Sequence, residues 1–272
     1  MWEGDGHIWL PKSDHAPSGK RYYPHFSITF NEPDYPLIVS LKEIIGGVIR
    51  HKKENKAYVL TITTLSGLNQ IIPLLNGNLR TPKITKFNIL IDWINNYTGS
   101  NFKKYAVDNT PLLENAWLSG FIDADGSFDI RIALKSQKQP KNSVSARFRL
   151  EQRTHDPLTG DSYLNILNSI SNALGVTVGT TKHKHEAKDT IYLSICLSSL
   201  NARQKLIEYL DLFPLFTSKF MNFIDWKKCH YLMVDKLHVT EEGRKKAIYL
   251  KAGMNRKRTF FSWDHLDKLS SY

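Results

Sequence analysis

The sequence predicts an α+β chain made of two pseudo-symmetric copies of one α-β-β-α-β-β-α unit, and three observations carry that prediction. The chain repeats itself: WEGDGHI at residues 2–8 aligns with IDADGSF at 122–128, placing Asp5 on Asp125. Each acid-glycine pair is followed by segments in which apolar and polar residues alternate, the period of a half-buried strand. Each half then runs, in the same order, through a stretch that closes on a glycine, a basic hairpin and a final apolar segment.

The anchors place the elements in turn. In DIRIALK, Ile130, Ile132 and Leu134 share one face and Asp129, Arg131, Ala133 and Lys135 the other, so a strand follows Gly126. HFSITF falls on RFRLEQ with Phe26 matched to Phe148. In the first half this second strand turns Phe26, Ile28 and Phe30 inward and Arg21, Tyr23, His25, Ser27 and Thr29 outward. In the second half Phe148 and Leu150 point inward, Arg147 and Arg149 outward. A helix begins near Asp34 or Asp156 and stops at Gly46 or Gly175, the residue type that C-terminal caps favour. Basic hairpins come next, at 49–63 and 180–196. SGLN at 66–69 then matches SSLN at 198–201, with Ser66 and Ser198 as N-caps, and ITKFNILIDW at 84–93 matches TSKFMNFIDW at 217–226.

The predicted organisation is a first repeat at 1–98, a polar and turn-rich linker at 99–112, a second repeat at 113–235 and a basic tail at 236–272. Thr240 caps a short helix in that tail. Its nine Lys or Arg against four Asp or Glu suit either an arm on a polyanion or a solvated surface helix.

Charge narrows the partners. Lys plus Arg number 37 against 26 Asp plus Glu, a formal net charge of +11 that favours a polyanion through phosphate neutralisation. The longest apolar runs, such as NILIDWI, fall far short of the roughly 20 residues of a membrane span, and no signal or transit peptide is recognisable. The protein is therefore expected to be soluble where it is made, with no membrane partner. Cys196 and Cys229 lack the spacing of a zinc site and are expected to be reduced. Abundant Asn, Ile, Lys and Tyr point to AT-rich codons and an organelle genome.

The chemistry sits in Leu118 to Gly126, LSGFIDADG, which resembles the LAGLIDADG signature and heads both halves of the repeat in shortened or complete form. On these residues the chain is identified as a member of the two-repeat, single-chain LAGLIDADG homing endonuclease and intron maturase family. The resemblance covers essentially the whole chain. It implies a saddle of antiparallel sheets on DNA, joined at paired LAGLIDADG helices whose small residues, here Ser119, Gly120 and Ala124, allow close approach. Only WEGDG remains of the first such helix, so upstream sequence is expected to complete it.

The resemblance also assigns roles. Asp5 and Asp125 are implied as metal-binding and catalytic carboxylates, with the carbonyls of Gly4 and Ala124 adding oxygen, while Glu3 and Asp123 are structural. The expected cofactor is Mg²⁺, with Mn²⁺ substituting and Ca²⁺ binding without turnover. This agrees with the chemistry of Mg²⁺, which takes one or two carboxylates beside phosphate and water, and which activates water and stabilises a leaving oxygen. Lys86 and Lys219, matched in the last anchor, are implied as basic residues beside each active site. Gln152 is implied to line the second site. Its counterpart by alignment is Phe30, followed by Asn31, so the first site is compositionally weaker.

DNA-binding candidates are Arg131, Lys135, Arg147, Arg149, Arg153, Lys182 and Lys184 in the second half, and Arg21, Tyr23 and His25 in the first. His183 and His185 are read as phosphate contacts or plain exposure rather than as a metal pair. The implied partner is a double-stranded DNA target of roughly 20 base pairs, two unlike half-sites over two helical turns, bound by a monomer with internal pseudo-dimer symmetry. Alternatives are an RNA maturase acting on group I intron RNA, or a catalytically decayed relative. The expected location is the mitochondrial matrix, encoded in the organelle.

Overall fold

The computed structural model describes the whole chain except Asp14, Leu134, residues 136–141 and 185–188 and Tyr272, with Ser270 and Ser271 described in backbone only. Leu134 and His185, assigned above, thus lie outside the described residues. The chain divides into two compact units, Met1–Pro111 with His155–Ile166, and Leu112–Thr154 with Leu167–Tyr272. The first unit therefore includes a segment that belongs by sequence to the second repeat.

The first repeat runs α1 (Trp2–Asp5), β1 (Gly6–Trp9), β2 (His25–Asn31), α2 (Tyr35–Ile45), β3 (Val48–Lys52), β4 (Ala57–Ile62), α3 (Leu65–Leu75) and α4 (Lys83–Thr98). The second runs α5 (Trp117–Asp125), β5 (Gly126–Ala133), β6 (Ser143–Arg153), α6 (Leu164–Leu174), β7 (Val178–His183), β8 (Thr190–Leu197), α7 (Leu200–Leu212) and α8 (Lys219–Val234), and α9 (Glu241–Ala252) follows. Each repeat closes with two helices, one more than its sequence pattern predicts. Both sheets are antiparallel and share one topology, β1-β2-β4-β3 and β5-β6-β8-β7.

Strand registers agree between the halves. Gly6 lies opposite Ile28 and Ile8 opposite Phe26, as Gly126 lies opposite Leu150 and Phe128 opposite Phe148. Alternation buries Ile8, Phe26, Ile28, Phe30, Leu60 and Ile62 in the first sheet, under Leu37, Ile38, Leu68, Phe87 and Leu90 of its helices. In the second, the Phe128 ring packs on Phe148, Trp226 and Phe223 at centroid distances of 5.1, 5.3 and 5.6 Å. Each such buried side chain contributes about 1.5–3 kcal/mol, so the apolar row of each sheet is what holds its helices down.

Several expectations change in detail. Pro24 ends the outward row: β2 starts at His25, and Tyr23 packs its ring on Trp93 and Tyr97 of α4, with its hydroxyl 3.2 Å from that of Tyr97. Arg21 lies over the Tyr97 ring at 4.5 Å. Both residues are thus engaged by α4 rather than by the sheet face. The second-half helix does not begin near Asp156, because the Asp156 carboxylate accepts the amides of Leu158 and Thr159 and holds the chain in a turn; α6 starts only at Leu164. The N-caps are Thr64 and Ser199, whose oxygens accept the amides of Gly67 and Ala202 at 3.2 Å, rather than Ser66 and Ser198. Gly46 and Gly175 do end their helices, at φ of +71° and +72°, the left-handed region open to glycine.

Residues 99–110 are pinned along the first unit. Arg80 pairs with Asp108 at 2.5 Å and donates to the carbonyl and hydroxyl oxygens of Thr110, and Asn76 donates to the Lys103 carbonyl at 2.6 Å. The basic tail is likewise no loose arm over its first half. Thr240 caps α9 through the Gly243 amide, and Ala247, Leu250 and Met254 are buried where this segment packs on α8 and β5.

Candidate active site

Each motif contributes two acids, and the fold gives them different surroundings. Asp123 is buried and accepts from the Phe216 amide at 2.8 Å, the Thr217 amide at 3.1 Å and the Thr217 hydroxyl at 2.5 Å. In the first unit the buried Glu3 accepts the amides of Arg80 and Thr81 at 2.9 and 2.6 Å. These donors lead into α4 and α8, where helix geometry leaves amides without partners. Burial pushes the Asp123 carboxyl up, opposed by the hydrogen bonds of Phe216 and Thr217 and by the charge of Lys219.

The second acids, Asp5 and Asp125, are the last residues of α1 and α5. Asp5 is exposed and Asp125 half-buried, and Gln152 donates its amide to Asp125 Oδ2 at 3.1 Å. The glycine after each acid is demanded by space, since both adopt extended backbone. A Cβ on Gly126 would meet Ile122 Cγ2 at 2.6 Å, and one on Gly6 would meet Trp2 Cδ1 at 2.0 Å. The helix therefore turns directly into a strand and leaves its final carboxylate at the strand's root.

A lysine closes the end of each helix. Lys219 Nζ donates to the carbonyls of Ala124 at 2.5 Å and Ile122 at 3.3 Å, and Lys83 Nζ donates to those of Gly4 at 2.6 Å and Gly6 at 2.8 Å. An ammonium satisfies orphan carbonyls there and complements the helix dipole. This geometry pairs Lys219 with Lys83 and corrects the pairing with Lys86. The anchor ITKFNILIDW/TSKFMNFIDW is displaced by three residues, close to one helical turn, so it preserves an apolar face while misplacing every residue. Thr81 and Thr217 before α4 and α8 give the true register, as Thr64 and Ser199 do for the preceding pair. Lys86 lies one turn further along, beside His7 and Asp156. Burial lowers its pKa and Asp156 partly restores it, while burial and the charges of Lys86 and Lys83 hold His7 below the usual histidine range.

The donor set suits a hard, partly hydrated cation. One carboxylate and one helix-end carbonyl per repeat are what a Mg²⁺ ion completed by phosphate and water requires, and a carbonyl oxygen has two lone pairs, so the lysine contact on Gly4 or Ala124 leaves room for a second. Among the described residues no cluster of three or more His, Cys, Asp or Glu builds a full protein cage.

On the outward face of the second sheet, Arg147 and Arg149 are joined by Arg131 and Arg153, and the arginines sit among acids. Arg147 pairs with Asp129 at 2.7 Å, while Arg149 and His183 both reach Glu151 at 3.4 Å. The register places His183 on this face and Lys182 on the opposite one, where it pairs with Asp189 at 2.5 Å. Lys135 and Lys184 are exposed beyond the ends of β5 and β7. In the first sheet the outward row holds His25, Ser27 and Thr29 as expected, together with Arg50 and Lys52 of β3, which the basic hairpin contained but alternation alone did not single out. Lys83 was missed for the register slip; the shared Thr-x-Lys at 81–83 and 217–219 was the available signal.

Two repeats of one topology, each opening on a helix that ends Asp-Gly, define a duplicated α+β scaffold. A sequence profile of the LAGLIDADG endonuclease family matches residues 1–106 and 118–230, and the chain belongs to that family. It is 27% identical to the intron-encoded DNA endonuclease aI3 of Saccharomyces cerevisiae, over 97% of this chain and 70% of that protein. To an uncharacterised cox1 intron-2 protein of Schizosaccharomyces pombe it is 29% identical, over 89% of this chain and 66% of that one. The intron-encoded RNA maturase bI4 of Saccharomyces cerevisiae matches at 26% over 53% of this chain and 20% of its own length. Among solved structures, the meganuclease I-SmaMI bound to uncleavable DNA superposes with a TM-score of 0.73 at 20% identity, covering 94% of this chain and 97% of that one. At that identity the likeness is one of fold. No described helix is long and apolar enough to cross a membrane.

Proposed function

We propose that the protein is a site-specific double-strand DNA endonuclease that hydrolyses phosphodiester bonds with Mg²⁺ at a long asymmetric target. The observation that carries this reading is the division of labour inside each motif: one acid is buried on backbone amides, and the next is left at the helix end beside a lysine-capped carbonyl. An acid as the last residue of a helix opposes the helix dipole, an arrangement that a purely structural helix end would avoid.

In this reading Asp5 and Asp125, with the carbonyls of Gly4 and Ala124, hold the metal. When bound, the ion supplies an activated water and charge stabilisation for the leaving 3′ oxygen. Lys83 and Lys219 keep the helix ends in place and hold positive charge beside the phosphate. Gln152 fixes the rotamer of Asp125, whereas the aligned position in the first repeat is held by Phe30, so the two sites differ in composition. The outward rows contact base edges and phosphates of a duplex of roughly 20 base pairs, bound by a monomer. Its likeness to intron-encoded proteins, one of them from a cox1 intron, supports an origin in mitochondrial introns, and in this reading the protein acts in the matrix. The match to an RNA maturase supports one second reading, binding of group I intron RNA without cutting.

The test is incubation with DNA spanning an intronless junction in Mg²⁺. Asp125→Asn is expected to abolish cutting of at least one strand while binding in Ca²⁺ persists. Linear products at the wild-type rate from that variant would refute the assignment. Saturable binding to intron RNA without any cutting by the parent protein would favour the maturase.

A further inference from the structure

The C-terminal segment returns to the second sheet in a way that neither the motif nor the repeat accounts for. After α9 the chain makes a single turn, Asn255–Lys257, with Asn255 at φ +55°. Asn255 is stapled on both sides: its amide N–H donates to Asn222 Oδ1 at 3.0 Å, and its side chain donates to the Phe128 carbonyl of β5 at 3.0 Å. The far end is held by Arg258, which pairs with Asp225 and donates to Asn222 Oδ1 at 3.2 Å and to the Met221 carbonyl at 3.3 Å. Between these two anchors Arg256 and Lys257 are exposed.

The place of the turn gives it meaning. Asn255 forms one wall of a groove of about 480 Å³ whose other walls are outward side chains of the second sheet, among them Ser127, Asp129, Arg147, Arg149 and Cys196. The groove is thus bounded by the candidate reading face on one side and, on the other, by Asn255, the residue that precedes the exposed Arg256 and Lys257 in the turn.

We propose that this turn is a phosphate clamp: Arg256 and Lys257 grip the backbone of duplex DNA along the β5 edge, setting its register against the Asp129–Arg147 pair. The inference rests on the DNA-binding reading above. A turn fixed at both ends loses little conformational freedom on binding, so two cations there are worth more than the same two on a loose tail. Phosphate contacts set register without reading sequence, and each neutralised phosphate adds about 0.9 to the slope of log K against log salt.

The probe is a fluorescent 40-base-pair duplex of arbitrary sequence, titrated with the full chain over a range of KCl. Arg256→Ala/Lys257→Ala is expected to lower affinity about tenfold at low salt and to reduce the salt slope by about 1.8. Thermal melting should be unchanged, since both side chains are exposed. The comparison is Lys245→Ala/Lys246→Ala, which removes equal charge from the solvent face of α9 and should leave the slope nearly as it was. Equal losses in the two pairs, no loss in the first, or a loss seen on structured RNA but not on the duplex would each overturn the clamp. Failure of the unaltered protein to bind the duplex in a salt-dependent way would instead defeat the DNA-binding reading, and the clamp with it.

Discussion

At the scale of single residues, the motif's two acids differ in surroundings, and on the proposed reading they separate folding from chemistry. Asp123 is enclosed by two amides and a hydroxyl. Removing its carboxylate strands those donors away from water, and each buried unsatisfied group costs about 1–3 kcal/mol. Asp123→Ala is therefore expected to lose about 3 kcal/mol or more in urea unfolding, whereas Asp125→Asn loses little. Equal stability of the two variants would remove the distinction. The resemblance to the family motif implied a structural role for Asp123, which its buried hydrogen bonds match, and a metal-binding role for Asp125, which the cleavage assay proposed above tests. Ser119 was not legible in the same way. It sits among small residues, yet its amide and hydroxyl bind the Tyr209 hydroxyl and the Pro214 carbonyl at 2.9 and 3.0 Å inside its own unit, so only Gly120 and Ala124 remain as a small-residue face.

At the scale of elements, strands were read more faithfully than helices, for a geometric reason. A strand shifted by one residue turns its apolar row to the wrong side, so alternation fixes the register of Phe26 and Phe148 without ambiguity. A helix shifted by three residues turns through most of a full circle and keeps its apolar face, so α3/α7 and α4/α8 were both matched three residues away from their caps. Interior detail of α8 was also hidden. His230 is fully buried, with Arg203 Nε donating to its Nδ1 at 3.3 Å and Gln204 Oε1 3.2 Å from its Nε2. Nδ1 must therefore stay unprotonated. Burial and the Arg203 charge hold the ring below its usual pKa of 6.5. The unfolded chain then binds more protons than the folded one between that lowered value and 6.5, so stability is complete above 6.5 and is lost as pH falls through the folded-state value. Thermal melts at about pH 7.5 and about pH 5.5 should show this loss, and His230→Gln, which keeps an acceptor for Arg203, should flatten it. An unaltered pH slope in that variant would place the titration elsewhere.

At the scale of the whole molecule, a net charge of +11 explains attraction to a polyanion but not discrimination among sequences. On the proposed reading, discrimination depends on the outward rows, and these differ between the repeats. The second carries Arg131, Arg147, Arg149 and Arg153, two of them held by Asp129 and Glu151; the first carries His25, Ser27, Thr29, Arg50 and Lys52. Exposed ion pairs contribute only about 0–1 kcal/mol to folding, so the carboxylates act mainly to pre-orient guanidinium groups that are readily released to a ligand. An arginine held in a plane meets both acceptors of a guanine edge, a pairing worth about 1–3 kcal/mol against the wrong base, while hydroxyl and imidazole groups discriminate less. Selection from a randomised duplex library, followed by single-base competition, should therefore find one half-site strict and the other permissive, with wrong bases in the strict half weakening binding roughly tenfold or more. Arg147→Ala should relax the strict half alone. Uniform tolerance across the target, or relaxation of both halves by that single change, would show that the two sheets do not read DNA through these rows.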